Sequence, residues 1–227
     1  MCLIVLAWRV HPRFPLVVAA NRDEFHARPA AAASFWSDRP GILAGRDLEA
    51  LGTWMGVSRA GRFAAVTNYR GAREPRAAES RGALVSRFLA DGPAPAEYMT
   101  GLRENSGLYS GFNLLAADRN NLWWISNRDG APRALAPGIY GLGNLLLDSP
   151  EVEPAKARLR GALEPAPAVD ALFTVLAASR ILNQEYGTRC STVMLRAEDD
   201  RIRYAERSFA PDGAEGETLQ FDFPCSS

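Results

Sequence analysis

Apolar positions fall into short runs near both ends of the chain and into helical periods in two interior stretches. Leu3 to Val10 is an apolar run, His11-Pro12-Arg13-Phe14-Pro15 reads as a turn, and Leu16 to Ala20 is a second run. Together they predict a hairpin with a longer loop. The second run stops at Asn21-Arg22-Asp23-Glu24, a charged cluster at the end of a buried strand. Further short strands are predicted over 42–44, 53–58 and 62–68, with Gly45, Gly52 and Gly61 as punctuation. Arg59-Ala60-Gly61 fits a hairpin tip. The period changes from Ser80 to Leu89, where Ala83, Leu84 and Phe88 share a helical face and Ser80 is placed to cap it. A second helix is predicted over 96–104, then strands over 111–116, 122–126 and 138–143. Helices over 154–163 and 169–182 follow, and strands over 192–196, 201–208 and 219–223. Strands, helices, strands, helices, strands: the order predicts one layered α+β domain over 1–227.

Composition narrows the function classes. The 227 residues are 47% hydrophobic and 23% charged, ordinary for a folded protein. Twenty-six basic residues balance 26 acidic ones, so no net field draws nucleic acid or an anionic membrane surface. Lys156 is the only lysine; we read that skew toward arginine as genome composition, not function. No apolar run reaches the length of a membrane span, and the first residues do not read as a signal peptide. The three cysteines, Cys2, Cys190 and Cys225, are an odd number without metal-like spacing, as expected of a reducing cytoplasm. The expectation is a cytoplasmic protein without stable membrane insertion or a nucleic-acid partner.

Four places can carry chemistry. Cys2 follows the initiator methionine, and removal of Met1 would leave it with a free α-amine. One residue would then supply a thiol nucleophile and, with an amine pKa near ~7.7, a general base at neutral pH. Arg22 and Asp23, near Cys2 if the hairpin register is tight, could act on its thiol and its amine. Trp54 between Gly52 and Gly56 suggests an aromatic wall beside close-lying backbone, and Asn68 sits at a strand end with an amide to offer an oxyanion. Asn144 and Arg189 are suited to orienting an amide or clamping a carboxylate. The two histidines, His11 and His26, support neither a Ser-His-Asp triad nor a multi-histidine metal site, and no phosphate-binding glycine loop is present. No metal or resident cofactor is expected; haem ligation through His26 is the one conceivable exception.

The motifs, in order, resemble the NRDE family, which includes the transport and Golgi organisation protein 2 homologues. They are Met1-Cys2, Asn21-Arg22-Asp23-Glu24, Arg28-Pro29, Gly45-Arg46-Asp47, Gly52-Thr53-Trp54, Thr67-Asn68-Tyr69-Arg70, Ser80-Arg81-Gly82, Gly111-Phe112-Asn113-Leu114 and Gly187-Thr188-Arg189. Leu51 stands where a glycine is usual, and Gly143 and Cys190 stand where serines are usual. The resemblance implies a four-layer αββα sandwich of two antiparallel sheets, the N-terminal-nucleophile hydrolase-like fold. Through the related choloylglycine hydrolase and penicillin V acylase group, it implies hydrolysis of a non-peptide C–N amide in a small molecule. In that reading Cys2 is nucleophile and base, Arg22 and Asp23 hold its thiol and amine, Asn68 and Asn144 serve the oxyanion, and Arg189 organises the network. Asn21, Trp54 and Arg70 are expected to meet the substrate. The alternative is a non-enzymatic haem or lipid carrier on the same fold, and a general interaction protein is a third reading.

Overall fold

A computed structural model describes residues 2–71 and 77–226. Met1, whose removal the reading of Cys2 invokes, lies outside the described residues. In chain order the strands are β1 (Leu3–His11), β2 (Phe14–Phe25), β3 (Ala30–Phe35), β4 (Ile42–Asp47), β5 (Met55–Ser58), β6 (Phe63–Asn68), β7 (Phe112–Ala117), β8 (Leu122–Ser126), β9 (Arg133–Ala134), β10 (Gly138–Leu142), β11 (Tyr186–Arg196), β12 (Arg201–Phe209) and β13 (Glu215–Pro224). The helices are α1 (Arg81–Asp91), α2 (Pro95–Glu104), α3 (Glu153–Ala162) and α4 (Val169–Ala177). The chain divides into two compact units, each assembled from separated stretches.

The first unit takes the chain up to Arg28, Pro137–Gly143 and Leu147–Pro224. Its six strands form one sheet in the order β10-β1-β2-β11-β12-β13, and each neighbouring pair is antiparallel. Side chains alternate across a strand, so every second residue faces α3 and α4. Leu3, Val5 and Ala7 of β1, Val17 and Ala19 of β2, and Val193 and Leu195 of β11 meet Leu159 of α3 and Leu172 and Leu176 of α4 there.

The second unit comprises Pro29–Ala136, Asn144–Leu146 and the residues from Cys225. Its seven strands follow chain order, β3 through β9, in an antiparallel meander. Leu84, Val85, Phe88 and Leu89 of α1 and Met99 and Leu102 of α2 bury against Ala44, Ala64, Leu114 and Ala116 of the sheet. Ser80 caps α1 as its sequence predicts, its side chain accepting from the Gly82 amide. Two of the glycine motifs meet at that cap. A side chain on Gly52 would strike the Gly82 backbone, 2.5 Å from its carbonyl carbon, so bare backbone is needed where the loop crosses the helix start. Leu51, in the place of a usual glycine, has φ +58 and is exposed, a left-handed conformation that a leucine adopts only at a cost.

Three element limits differ from the sequence reading by five residues or more. β2 does not stop at Ala20 but runs on through the charged tetrapeptide to Phe25, because β11 pairs with it along that length. β11 correspondingly begins at Tyr186, six residues before the apolar run that predicts it. α4 ends at Ala177 rather than near 182, and the Ser179 amide closes back on the Leu176 carbonyl. β3 carries no periodic signal in its run of alanines and is found only in the structure.

Candidate active site

Because Asn21 to Glu24 lies inside β2, its side chains alternate instead of fanning out from a strand end. The face that carries Val17 and Ala19 toward the helices continues through Asn21 to Asp23, and Arg22 belongs to the opposite face. Asn21 is 2% exposed and both ends of its amide are engaged: Nδ2 donates to the Leu176 carbonyl at 3.1 Å, and Oδ1 accepts from Ser191 Oγ at 2.6 Å. This residue, expected to meet substrate, ties β2 to α4 and β11. Arg22 is buried in register with Cys190. Burial, and then the nearby Glu206, push the Cys190 thiol well above the ordinary range, with Arg22 opposing.

Cys2 sits just before β1, where Leu3 pairs with Asn21, and its sulfur meets the backbone of Asp23. Sγ donates to the Asp23 carbonyl at 3.3 Å and accepts from the Asp23 amide at 3.4 Å. Burial and then the Asp23 charge push the Cys2 thiol up to about 11, only partly offset by the backbone hydrogen bond. The Asp23 carboxyl is itself buried, and burial raises its pKa against the opposing hydrogen bond from Thr188. Thr188 Oγ1 donates to Asp23 Oδ1 at 2.6 Å, and Tyr186 Oη donates to the Asp23 carbonyl at 3.2 Å. Arg189 spans the exit of β2: its Nη1 donates to the carbonyls of Phe25 and Arg28, each at 2.9 Å. Burial and then the charge of Arg22 lower its pKa.

The second unit assembles the remaining residues into a separate group. Asn144 is buried; its Nδ2 donates to the Asn68 carbonyl at 2.8 Å, and its own carbonyl accepts from the Arg70 amide at 2.6 Å. Asn113 ties the same segment, donating to the Leu145 carbonyl at 2.8 Å and to Thr67 Oγ1 at 3.3 Å. The side chains of Asn68 and Arg70 are exposed at the end of β6 and just beyond it. Trp54 lies across Gly45, where any side chain would overlap its ring. The structure thus joins Cys2 to Asp23, and Asn68 and Arg70 to Asn144. Thr188 and Tyr186 received no role from sequence, although Thr188 lies within one of the ordered motifs; what gives them one is pairing across more than 160 residues. Among the described residues, no cluster of three His, Cys, Asp or Glu side chains could hold a metal, and no helix is long and apolar enough to cross a membrane.

The model of the Transport and Golgi organisation 2 family matches residues 1–183. The chain belongs to that family. It is 34% identical to the Transport and Golgi organization protein 2 homolog of Bos taurus and 32% identical to that of Homo sapiens, with all of this chain and all of each relative covered. Among solved structures, the conjugated bile acid hydrolase of Clostridium perfringens is similar at a TM-score of 0.59 and 9% identity, covering 100% of this chain and 98% of that one. The Caenorhabditis elegans N-acylethanolamine-hydrolyzing acid amidase ortholog is similar at a TM-score of 0.53 and 13% identity, covering 86% and 92%. At these identities the likeness establishes the fold: α+β, two antiparallel sheets with few helices, N-terminal-nucleophile hydrolase-like.

Proposed function

We propose that this family member hydrolyses a non-peptide C–N amide of a small molecule, with Cys2 as the nucleophile once Met1 has been removed. The observation that carries this reading is the contact of the Cys2 sulfur with Asp23 at 3.3 and 3.4 Å. With Met1 retained, a thiol pushed up to about 11 is ionised in only about one molecule in ten thousand at pH 7 and needs a base. The α-amine of the same residue is such a base, with Asp23 as the carboxylate that holds it. As sulfur attacks the amide carbon, the thiol proton passes to the α-amine and the carbonyl electron pair moves to oxygen. Collapse of the tetrahedral species breaks the C–N bond, and the leaving nitrogen takes the proton from the α-ammonium. Water then attacks the thioester, giving a proton to the α-amine; the C–S bond breaks and the sulfur is reprotonated.

Asn68 and Asn144 keep the oxyanion role that the resemblance gives them, and Trp54 and Arg70 the substrate-binding role. Arg189 and Asn21 support the reading as residues that hold the end of β2 in place. The odd cysteine count supports a cytoplasmic location.

The test is intact mass of the purified protein before and after iodoacetamide, followed by a screen of N-acyl amides. Loss of Met1, one fast adduct at Cys2 and turnover abolished by Cys2→Ala are expected. Turnover that survives Cys2→Ala would overturn the nucleophile assignment. Retained Met1 with a sluggish Cys2 and stoichiometric binding of haem or a lipid would favour the carrier reading instead.

A further inference from the structure

Thr188 stands directly opposite Asp23 in the β2–β11 register and is 2% exposed. A threonine hydroxyl has one proton to give and lone pairs to accept with. The Ile181 amide donates to Thr188 Oγ1 at 2.9 Å, and the Thr188 amide donates to the Ile181 carbonyl at 3.0 Å. That pair of bonds fixes the residue and engages one of the two lone pairs of its hydroxyl. The proton therefore points one way, to Asp23 Oδ1 at 2.6 Å. Tyr186, two residues earlier on the same strand, holds the Asp23 main chain through the carbonyl that also receives the Cys2 thiol.

We propose that Thr188 is a positioning residue that acts through Asp23, fixing the rotation of the carboxylate so that Oδ1 is engaged and the other oxygen is presented to the α-amine of Cys2. This rests on the hydrolase reading above. A donor held in place favours the ionised carboxylate, whereas a hydroxyl free to turn would favour it less. The titratable groups that meet Asp23 are Cys2 from the β1 side and Tyr186 from β11, while Arg22 and Glu24, its neighbours along β2, belong to the opposite face.

The experiment uses the full chain with Met1 removed, as wild type, Thr188→Val and Thr188→Ser. Two quantities are read: the Asp23 titration midpoint from its carboxyl carbon by NMR, and the pH profile of iodoacetamide alkylation at Cys2. Thr188→Val, nearly isosteric, should raise the Asp23 midpoint by about one unit, the scale of one hydrogen bond to a charged group, and should slow Cys2 alkylation at neutral pH because the turned carboxylate no longer holds the α-amine beside the thiol. Thr188→Ser should restore both. If Thr188→Val does not fold, Thr188→Ala carries the same expectation. An unchanged Asp23 midpoint overturns the proposal, and so does a raised midpoint with unaltered Cys2 alkylation. Failure of the hydrolase reading looks different: wild-type Cys2 would alkylate no faster without Met1 than with it, before any variant is made.

Discussion

Asn21→Ala separates a residue that builds the site from one that meets a ligand. The substitution removes two buried hydrogen bonds, to the Leu176 carbonyl and from Ser191 Oγ. The Leu176 carbonyl keeps the Ser179 amide as a donor, so it is weakened rather than stranded. Ser191, 2% exposed, loses an acceptor at 2.6 Å in a place water does not reach. At about 1–1.5 kcal/mol for each bond, plus about 1 kcal/mol for the unsatisfied hydroxyl, the loss is about 3–4 kcal/mol. In a chain of this size each kcal/mol shifts Tm by roughly 2–4 °C, so a fall of about 6–16 °C is expected. Urea denaturation of Asn21→Ala, Ser191→Ala and the double variant measures the loss and its coupling. The double variant should recover about 1–2 kcal/mol of the summed single losses. A loss under about 1 kcal/mol with no coupling would refute the reasoning and leave the Asn21 amide available to substrate.

Three further outcomes follow from the same geometry. Asp23→Asn removes a carboxylate whose pKa is raised by burial. A raised acid pKa means that stability falls as pH rises from the unfolded value through the folded one, so this variant should unfold no earlier than wild type above that window, and its Cys2 thiol, relieved of the Asp23 charge, should titrate below about 11. Paired thermal melts and alkylation rates check it; a marked loss of stability at neutral pH would contradict it. With Met1 retained, the alkylation rate at Cys2 should climb about tenfold per pH unit up to about pH 10, because the thiol titrates at about 11; a plateau below pH 9 would be inconsistent with that environment. Leu51→Gly should stabilise by about 0.5–1 kcal/mol, relieving φ +58, and a destabilisation measured by urea unfolding would show that the leucine side chain contributes more than its backbone costs.

The residues of the site were legible as motifs, but their roles were not. Asn21, Arg22 and Asp23 read as one cluster at a strand end because the apolar run stops at Ala20. Pairing with β11 instead keeps the tetrapeptide extended, and the two-residue period then sends Arg22 to one face and its neighbours to the other. Nothing in a local window announces that register, since the first half of β11 is polar and carries an irregularity between Thr188 and Cys190. For the same reason Thr188 read only as part of a triplet, although its hydroxyl lies 2.6 Å from Asp23. The glycine motif at Gly52 shows the reverse case: its type signals close backbone approach, but only the fold names the start of α1 as what approaches.

By itself the sequence determined what short-range physics can fix. It set the β1–β2 hairpin and the strand over 122–126 through apolar patterning, the start of α1 through the Ser80 cap, and the nucleophile candidate through the position of Cys2. Tertiary structure alone decided which side chains meet: Cys2 with Asp23, Asp23 with Thr188, and Asn144 with Asn68. Those pairs are 21, 165 and 76 residues apart along the chain. Contacts over such distances depend on strand register and sheet order, which are set by how whole faces bury together and not by the residues that end up touching.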